Sequence, residues 1–269
     1  MNRFTLGDYR GVILDVGHFL VNTHRLFANA PAETLAAALA KYQLRADTVT
    51  FELHPLLIDT GAHRVLIDPG GLDDAPDALM TALTAAEIDP ASIDTVIVTH
   101  GHADHYRGCV RADGALAFPN AAHYLQRVEW DYWLVDDNPE PYHAETFRRV
   151  MPALKAHFTL LDGEGEIVPG IRAVSTPGHS PAHMALLIGA KLIYVADVLL
   201  SPVLVEYPEW FGGFDILPEA VVETRRRLLR RIAADDLWVS AYHFPAPGTG
   251  RIVSAGNSWT WLPQARATK

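Results

Sequence analysis

The chain of 269 residues is 49% hydrophobic and 20% charged, which is typical of a globular protein and excludes disordered, collagen-like and low-complexity classes. Its formal net charge of −10 repels nucleic-acid phosphates, so the sequence argues against a nucleic-acid partner and favours a small neutral or hydrophobic substrate. The single cysteine, Cys109, excludes an internal disulfide and a cysteine-built metal site. Any bound metal must therefore be held by histidines and carboxylates.

Short β-rich runs alternate with amphipathic stretches along the chain. Neither a repeat nor a flexible linker divides them, which predicts a single domain over residues 1–269. The predicted strands are Phe51–Ile58, Arg64–Ile67, Thr95–Thr99, Ile171–Ser175, Ala185–Ile188, Lys191–Ala196 and Leu237–Ala241. The predicted helices are Ala32–Tyr42, Pro76–Ala86, Ala144–Ala156 and Pro218–Ala234. Hairpins mixed with β–α units indicate mixed sheets covered by helices.

Two regions, 18–31 and 200–217, show no clear period but carry aromatic side chains. These aromatics either line a pocket or pack beneath their own loops. The two most apolar stretches, Gly11–Leu20 and Met184–Leu200, are each interrupted by polar or charged residues. The sequence therefore predicts no signal peptide, no membrane span and a cytoplasmic location.

Four potential metal ligands follow the predicted strand Thr95–Thr99 within six positions, and they are His100, His102, Asp104 and His105. Imidazole nitrogens and carboxylate oxygens both suit Zn²⁺ or a similar divalent ion. A solvated polar loop would use the same residue types, so this loop alone leaves both interpretations open.

The same placement at the end of a strand recurs three times further along the chain. His179 follows the strand that ends at Ser175, Asp197 ends the strand Lys191–Ala196, and His243 follows Leu237–Ala241. Side chains at strand ends can converge while the backbone beneath them stays rigid. This recurrence favours one metal site built from all seven side chains over a set of unrelated polar loops.

The pattern His-x-His-x-Asp-His over residues 100–105, with His179, Asp197 and His243 downstream, resembles the metallo-β-lactamase superfamily. Other stretches resemble its methyl parathion hydrolase branch, and these are Leu116–Ala121, Val168–Ile171, Thr176–Pro181 and residues 244–248. The similarity extends from near Arg10 to the C-terminus. It implies an α+β fold of the metallo-β-lactamase type, an αββα sandwich of two mixed sheets flanked by helices, and it suggests a homodimer.

Taken position by position, the resemblance implies two divalent metal ions per chain. Its ligands match His100, His102 and His179 for one ion, Asp104, His105 and His243 for the other, and Asp197 as the bridge. The diiron redox relatives carry a carboxylate where this chain has His102. A hydrolytic metal is therefore preferred, with Zn²⁺ first and Mn, Co or Fe as alternatives.

The activity implied by the resemblance is hydrolysis by a zinc-dependent enzyme of the esterase, lactonase or phosphotriesterase type. A hydroxide bridging the two cations would attack lactones, aryl esters or, more weakly, phosphotriesters. Asp104 and Asp197 are the expected catalytic residues, because Asp104 can take the proton of the attacking water. Asp68 and His183 match residues that orient the ligands, although a plain turn-forming Asp68 fits the sequence nearly as well.

Four further residues match substrate-contacting positions, exactly or approximately, and these are Phe19, Trp133, Leu200 and Phe214. Quorum-quenching lactonases of the superfamily carry a Tyr where this chain has Leu200. The methyl parathion hydrolase branch carries a Phe shortly after the Gly-Leu matched by residues 71–72, whereas Asp73 and Asp74 follow here. We therefore expect aryl esters and aromatic lactones to be better substrates than methyl parathion-type triesters.

Other reactive side chains are interpreted as structural. Cys109 lies in an apolar segment and is expected in the core. The basic cluster within Arg225–Arg231 is expected to form a solvated helix surface beside a buried apolar stripe. The histidines without a strand-end partner, expected to be ordinary surface or core residues, are His18, His24, His54, His63, His123, His143 and His157.

Three alternatives share parts of the pattern. A glyoxalase II-like thioesterase has the same metal motif but adds a C-terminal helical region, and only residues 244–269 follow His243 here. A metallo-ribonuclease is opposed by the acidic balance. A metal-free scaffold of the same fold is opposed by the complete ligand set.

Overall fold

The structure, a computed structural model, describes residues 1–264 and divides into two compact units. The first unit is Met1–Gly17 with Leu53–Ala173, and the second is His18–Glu52 with the chain from Val174 onwards. The single-domain expectation over 1–269 stays a prediction, and residues 265–269 lie outside the described part. Within residues 1–264, no helix combines the length and the apolarity needed to cross a bilayer.

The strands are β1 Asn2–Leu6, β2 Tyr9–Ile13, β3 His18–Asn22, β4 Thr48–Glu52, β5 Leu56–Asp59, β6 Arg64–Ile67, β7 Thr95–Ile97, β8 Ala122–Gln126, β9 Phe158–Leu161, β10 Gly165–Val168, β11 Ile171–Ser175, β12 Met184–Ile188, β13 Leu192–Tyr194, β14 Trp238–Ser240, β15 Thr249–Ala255 and β16 Ser258–Pro263. The α-helices are α1 Thr23–Leu26, α2 Ala32–Lys41, α3 Ala78–Ala85, α4 Ala103–Tyr106, α5 Arg127–Trp133, α6 Pro141–Val150, α7 Val203–Glu206 and α8 Pro218–Ala234. Short 3₁₀ turns lie at Pro90–Ser92, Arg107–Cys109, Met151–His157 and Ala196–Val198.

The first sheet is mixed and has the strand order β1-β2-β5-β6-β7-β8-β9. Strands β6 to β9 run parallel, whereas β1, β2, β5 and β6 pair antiparallel. Every residue of β7 is buried, as expected for a parallel strand covered on both faces. Residues that follow β6 and β7 therefore start from the same end of two rigid, buried neighbouring strands.

The second sheet has the order β10-β11-β12-β13-β14-β15-β16, and the division between the units falls within β11. β13 and β14 are parallel, whereas the hairpins β12–β13, β14–β15 and β15–β16 are antiparallel. A separate antiparallel ribbon, β3–β4, belongs to the second unit. The apolar core of this unit includes Ile193 of β13, Val239 of β14 and Leu229 of α8.

Most predicted elements agree with the structure to within one or two residues, and two predictions are wrong. The strand expected over Phe51–Ile58 is two strands, β4 and β5. The chain breaks between them at Pro55, which has no backbone N–H to donate. The helix expected over Ala144–Ala156 ends at Val150 and continues as a 3₁₀ turn, because Pro152 cannot continue the α-helical hydrogen bonds.

Arg225 is not part of a solvated surface, which corrects the expectation for the basic cluster. It lies on the same helical face as Val221 and Leu228 and is fully buried. Its guanidinium donates to both carboxylate oxygens of Asp215 at 3.1 and 3.0 Å and to the carbonyl oxygens of Val198 and Trp210 at 2.7 and 2.6 Å. The spacing of Arg225 from Val221 and Leu228 places it on the buried face of α8, and its charge does not change that placement.

Replacing Arg225 by Met should destabilise the protein by about 3–5 kcal/mol, because it leaves the Asp215 carboxylate buried without its cation. Arg226→Met is the matched control, since exposed Arg226 lies 3.7 Å from an exposed Glu209 oxygen and such surface pairs contribute about 0–1 kcal/mol. Urea unfolding of both variants measures the difference. Equal losses would contradict a buried ion pair at Arg225.

Candidate metal centre

The first unit carries four of the predicted ligands, His100 and His102 on the segment that connects β7 to α4 and Asp104 and His105 on α4 itself. His100, His102 and His105 are buried, and the side chain of Asp104 is partly exposed. The ligand atoms of His100 and His102 lie within 4.8 Å of one another, as do those of Asp104 and His105. These side chains lie close together because all four follow the buried strand β7 within a few residues of one another.

Asp68 follows β6, the neighbour of β7, and is fully buried. Its carboxylate accepts hydrogen bonds from the Thr99 backbone N–H at 2.8 Å, from Thr99 Oγ1 at 2.8 Å and from His105 Nδ1 at 2.9 Å. The backbone of Asp68 has a positive φ of 47°, a conformation that non-glycine residues adopt at some energetic cost. The structure therefore places Asp68 as a support for the ligand-bearing turn, and a plain turn residue would not need these three bonds.

The second unit carries the remaining ligands, His179, Asp197 and His243, all buried. Asp197 Oδ2 lies 3.3 Å from Nε2 of His179 and 3.3 Å from Nε2 of His243. One carboxylate oxygen is thus shared between two imidazoles that come from different strand ends. Ala196, directly before Asp197, also has a positive φ of 44°, so the backbone is held in an uncommon conformation here as well.

The orientation of the imidazoles fits metal binding. A histidine ligand usually donates its second ring N–H to an oxygen, which leaves the other nitrogen to coordinate. Nδ1 lies beside an oxygen in four of these rings, with partners Thr99 Oγ1 for His100 at 3.1 Å, Asp68 for His105 at 2.9 Å, Asp215 for His179 at 3.3 Å and the Glu52 carbonyl for His243 at 2.9 Å. With these contacts, Nε2 would be the coordinating atom of each ring, and the donor set fits divalent cations of the zinc type.

His183 has a tautomer determined by its neighbours. Its Nε2 accepts a hydrogen bond from the Asp197 backbone N–H at 3.1 Å, so Nδ1 carries the proton and donates to Thr176 Oγ1 at 2.8 Å. Both ring nitrogens are occupied within the protein. His183 therefore holds the backbone of Asp197 and does not supply a ligand.

Asp215 was not expected from the sequence, yet it links the ligand His179 to Arg225. Burial by itself would lower the pKa of His179, but the carboxylates of Asp197 and Asp215 raise it to about 9 in the metal-free protein. Burial would raise the pKa of Asp215, whereas the Arg225 guanidinium and His179 hold it below its ordinary value. No sequence motif marks Asp215, since it lies in an irregular loop, 36 residues along the chain from His179 and ten from Arg225.

The sequence interpretation missed two residues that contact the candidate ligands and a third that binds the turn between two of them. Phe51 stacks on His243 with 4.3 Å between ring centroids. His143, expected to be an ordinary histidine, lies 4.1 Å from the ring of His102. Glu129 accepts a hydrogen bond from the Gly101 backbone at 3.0 Å. The four-residue spacing on helix α5 could have predicted that Glu129 lies beside Trp133. Nothing in the sequence indicates that α5 or α6 contacts the turn at Gly101.

The residues matched to substrate contacts differ in exposure. Trp133 and Leu200 are at most 1% exposed, so neither presents a face to solvent, whereas Phe19 and Phe214 are half-buried. Their role in substrate choice stays a prediction, and for Trp133 and Leu200 it would act through neighbouring side chains. Cys109 is fully buried, and burial raises the pKa of its thiol, so it is a core residue and not a nucleophile.

Histidines and carboxylates grouped at the ends of strands in mixed sheets are typical of metal-dependent hydrolases. The sequence profile of the Metallo-beta-lactamase superfamily matches residues 55–243, a span that contains all seven ligand positions, and the chain belongs to this superfamily. The αββα fold class expected from the sequence is thereby confirmed.

Two kinds of relative support this assignment. The N-acyl homoserine lactonase AiiA of Bacillus thuringiensis subsp. kurstaki is 28% identical over 191 residues, which cover 65% of this chain and 70% of that protein. The crystal structure of the hydrolase AbOPH, of the beta lactamase superfamily, superposes with a TM-score of 0.89 at 25% identity and covers 99% of this chain and 98% of that one. AidC, a dizinc quorum-quenching lactonase in complex with its product N-hexnoyl-L-homoserine, has the same fold, with a TM-score of 0.87, 22% identity and coverage of 99% and 98%.

Asp215→Asn should lower the pKa of His179 from about 9 towards the ordinary value of about 6.5. A raised folded-state pKa stabilises the metal-free protein below pH 6.5, and this contribution is lost as pH rises through 9. The stability difference between wild type and Asp215→Asn should therefore shrink above pH 9. Imidazole ¹⁵N chemical shifts of chelator-treated protein measure the pKa directly. Asp236→Asn makes the same charge change on the exposed surface, and an unchanged His179 titration in Asp215→Asn would contradict the contact.

Proposed function

We propose that this hydrolase cleaves carboxylic ester and lactone bonds at a dinuclear zinc centre. His100, His102 and His179 would hold one cation, Asp104, His105 and His243 the other, and Asp197 would bridge them. The observation that carries the proposal is the set of imidazoles whose Nδ1 atoms are held by oxygens. Such orientation is what metal binding requires and what a solvated loop lacks.

Two bound cations would supply a nucleophilic hydroxide at neutral pH and would polarise the scissile carbonyl. Asp197 suits the bridging position because one of its oxygens is 3.3 Å from the Nε2 atoms of both His179 and His243. Asp104 is the ligand-set carboxylate with solvent access, at 14% side-chain exposure. It can therefore accept a proton from the attacking water and release it to the leaving group or to bulk solvent.

Zinc is proposed because the set is dominated by neutral imidazoles with a few carboxylates, a mixture that suits Zn²⁺. Mn²⁺, Co²⁺ and Fe²⁺ accept the same ligands but bind them less tightly in the ordinary affinity series. Metal content of protein purified without chelator tests this part of the proposal.

An apolar aromatic group beside His243 supports a substrate with an apolar portion. Phe19 and Phe214 each contact Phe51, with ring centroids 5.6 and 6.0 Å apart, and Phe51 stacks on His243. Burying an acyl chain or aromatic ring yields about 25 cal/mol per Å². Lactonase activity in the relative AiiA is consistent with a substrate of this chemistry.

Polar side chains after residues 71–72 disfavour the organophosphate alternative. Asp73 accepts hydrogen bonds from Arg107 at 3.1 and 2.8 Å and is half-exposed, so this loop offers charge where the branch resembled by the sequence has an aromatic ring. A bulky neutral triester gains less burial from such a loop.

Zinc-loaded protein should hydrolyse aryl esters and lactones with higher kcat/KM than methyl parathion-type triesters. The physical reason is that the loop after residues 71–72 offers a charged side chain, and so few apolar contacts, to a bulky triester. A panel of lactones, aryl esters, thioesters and phosphotriesters measured at one metal concentration gives this order. A phosphotriester far above every ester and lactone would contradict the proposed substrate class. A thioester far above all others would favour the glyoxalase II-like alternative.

Asp197→Ala should abolish most hydrolysis and reduce metal content, because it removes the anion placed between two cations. Loss of a residue that merely orients a ligand costs about 10–100-fold, so the loss here should exceed that range. Asp162→Ala removes an exposed carboxylate paired with Arg127 and serves as the control. Full activity with two metals in Asp197→Ala would show that the bridge is assigned incorrectly.

A further inference from the structure

Glu129 is a carboxylate with no exposed surface, on helix α5. Its Oε2 accepts two hydrogen bonds, from the Gly101 backbone N–H at 3.0 Å and from Trp133 Nε1 at 2.8 Å. Burial of a carboxylate is unfavourable unless donors satisfy it. This side chain therefore joins α5 to the turn that separates the ligands His100 and His102.

The indole of Trp133 lies directly against the same turn. A Cβ at Gly101 would overlap the Trp133 ring, so only glycine permits this approach. His102 packs edge-to-face on the indole with 5.1 Å between centroids. Trp133 itself is fully buried, which leaves its ring little freedom to move.

Helix α6 also contacts His102, through a side chain that lies beside Trp133 with 6.0 Å between ring centroids. The ring of His143 lies 4.1 Å from that of His102 at an interplanar angle of 33°. The Ala103 backbone N–H donates to His143 Nδ1 at 3.3 Å. The ring of His102 is thus confined by side chains from two helices, and the backbone on each side of it is hydrogen-bonded to them.

We propose that Glu129 is a positioning residue for metal binding, which holds the turn so that His102 presents its imidazole to one of the two cations. The inference rests on the proposed dinuclear centre. Glu129 acts through Gly101 and Trp133 and does not itself coordinate. Its loss should weaken binding of the cation shared by His100, His102 and His179 more than binding of the other cation, whose ligands have separate supports at Asp68 and the Glu52 carbonyl.

The test compares Glu129→Ala, Glu129→Gln and the control Trp130→Phe by zinc titration against a chelator and by the visible spectrum of the Co²⁺-loaded protein. Glu129→Ala should bind one cation about 10–100-fold more weakly and change the cobalt spectrum, while the second cation stays bound. Glu129→Gln keeps an oxygen that can accept both hydrogen bonds, so it should retain two cations. Trp130→Phe alters the packing of α5 against Phe147 and Phe158 without touching the turn, so it should also retain both.

Trp133→Phe provides a second test if Glu129→Ala does not fold, because it removes the indole N–H together with the ring that bears it but keeps a smaller aromatic ring at this position. It should weaken the same cation and change the same cobalt spectrum. Two tightly bound cations in Glu129→Ala or Trp133→Phe would overturn the proposal, as would an equal loss in Trp130→Phe, which would indicate a general packing effect. Loss of zinc in Glu129→Gln would overturn it too, since charge and not positioning would then be responsible. Failure of the wild type to bind two cations would instead contradict the dinuclear centre itself.

Discussion

An imidazole binds a cation through one nitrogen while its proton sits on the other, and this requirement organises the residues around the candidate centre. In the first unit the proton of His105 is held by Asp68, and in the second that of His179 is held by Asp215. The two carboxylates come from unrelated segments, and each accepts a hydrogen bond from the Nδ1 atom of a candidate ligand. Each is buried, so the orientation it imposes is not weakened by competing water.

Burial of so many charged groups has consequences for the rest of the chain. Asp215 is retained in the interior because Arg225 on α8 neutralises it, and Arg225 in turn satisfies two backbone carbonyls. Glu129 is retained because Gly101 and Trp133 donate to it. Replacing a whole buried ion pair by apolar residues often raises stability in other proteins, so the contribution of these groups to stability does not by itself explain their burial here.

The backbone beside the candidate centre adopts uncommon conformations. Asp68 and Ala196 have positive φ values of 47° and 44°, and each lies at a strand end next to the candidate centre. Such conformations cost free energy and persist where the surroundings hold them. The contacts of Asp68 with Thr99 and His105 explain how this strain is maintained in the first unit.

The sequence by itself predicted the candidate ligands and determined the class of protein, because the spacing of residues 100–105 is local and the later candidate ligands follow strands whose apolar runs are easily recognised. It also predicted α6 in part and α8 in full. Half-exposed strands such as β1 and β10 escaped it, since they bury too few side chains to show a period. Only the tertiary structure decided which polar residues support the ligands. Asp215, Glu129 and His143 reach their partners through contacts between segments distant in sequence, and the energy of those contacts depends on burial that no local pattern records.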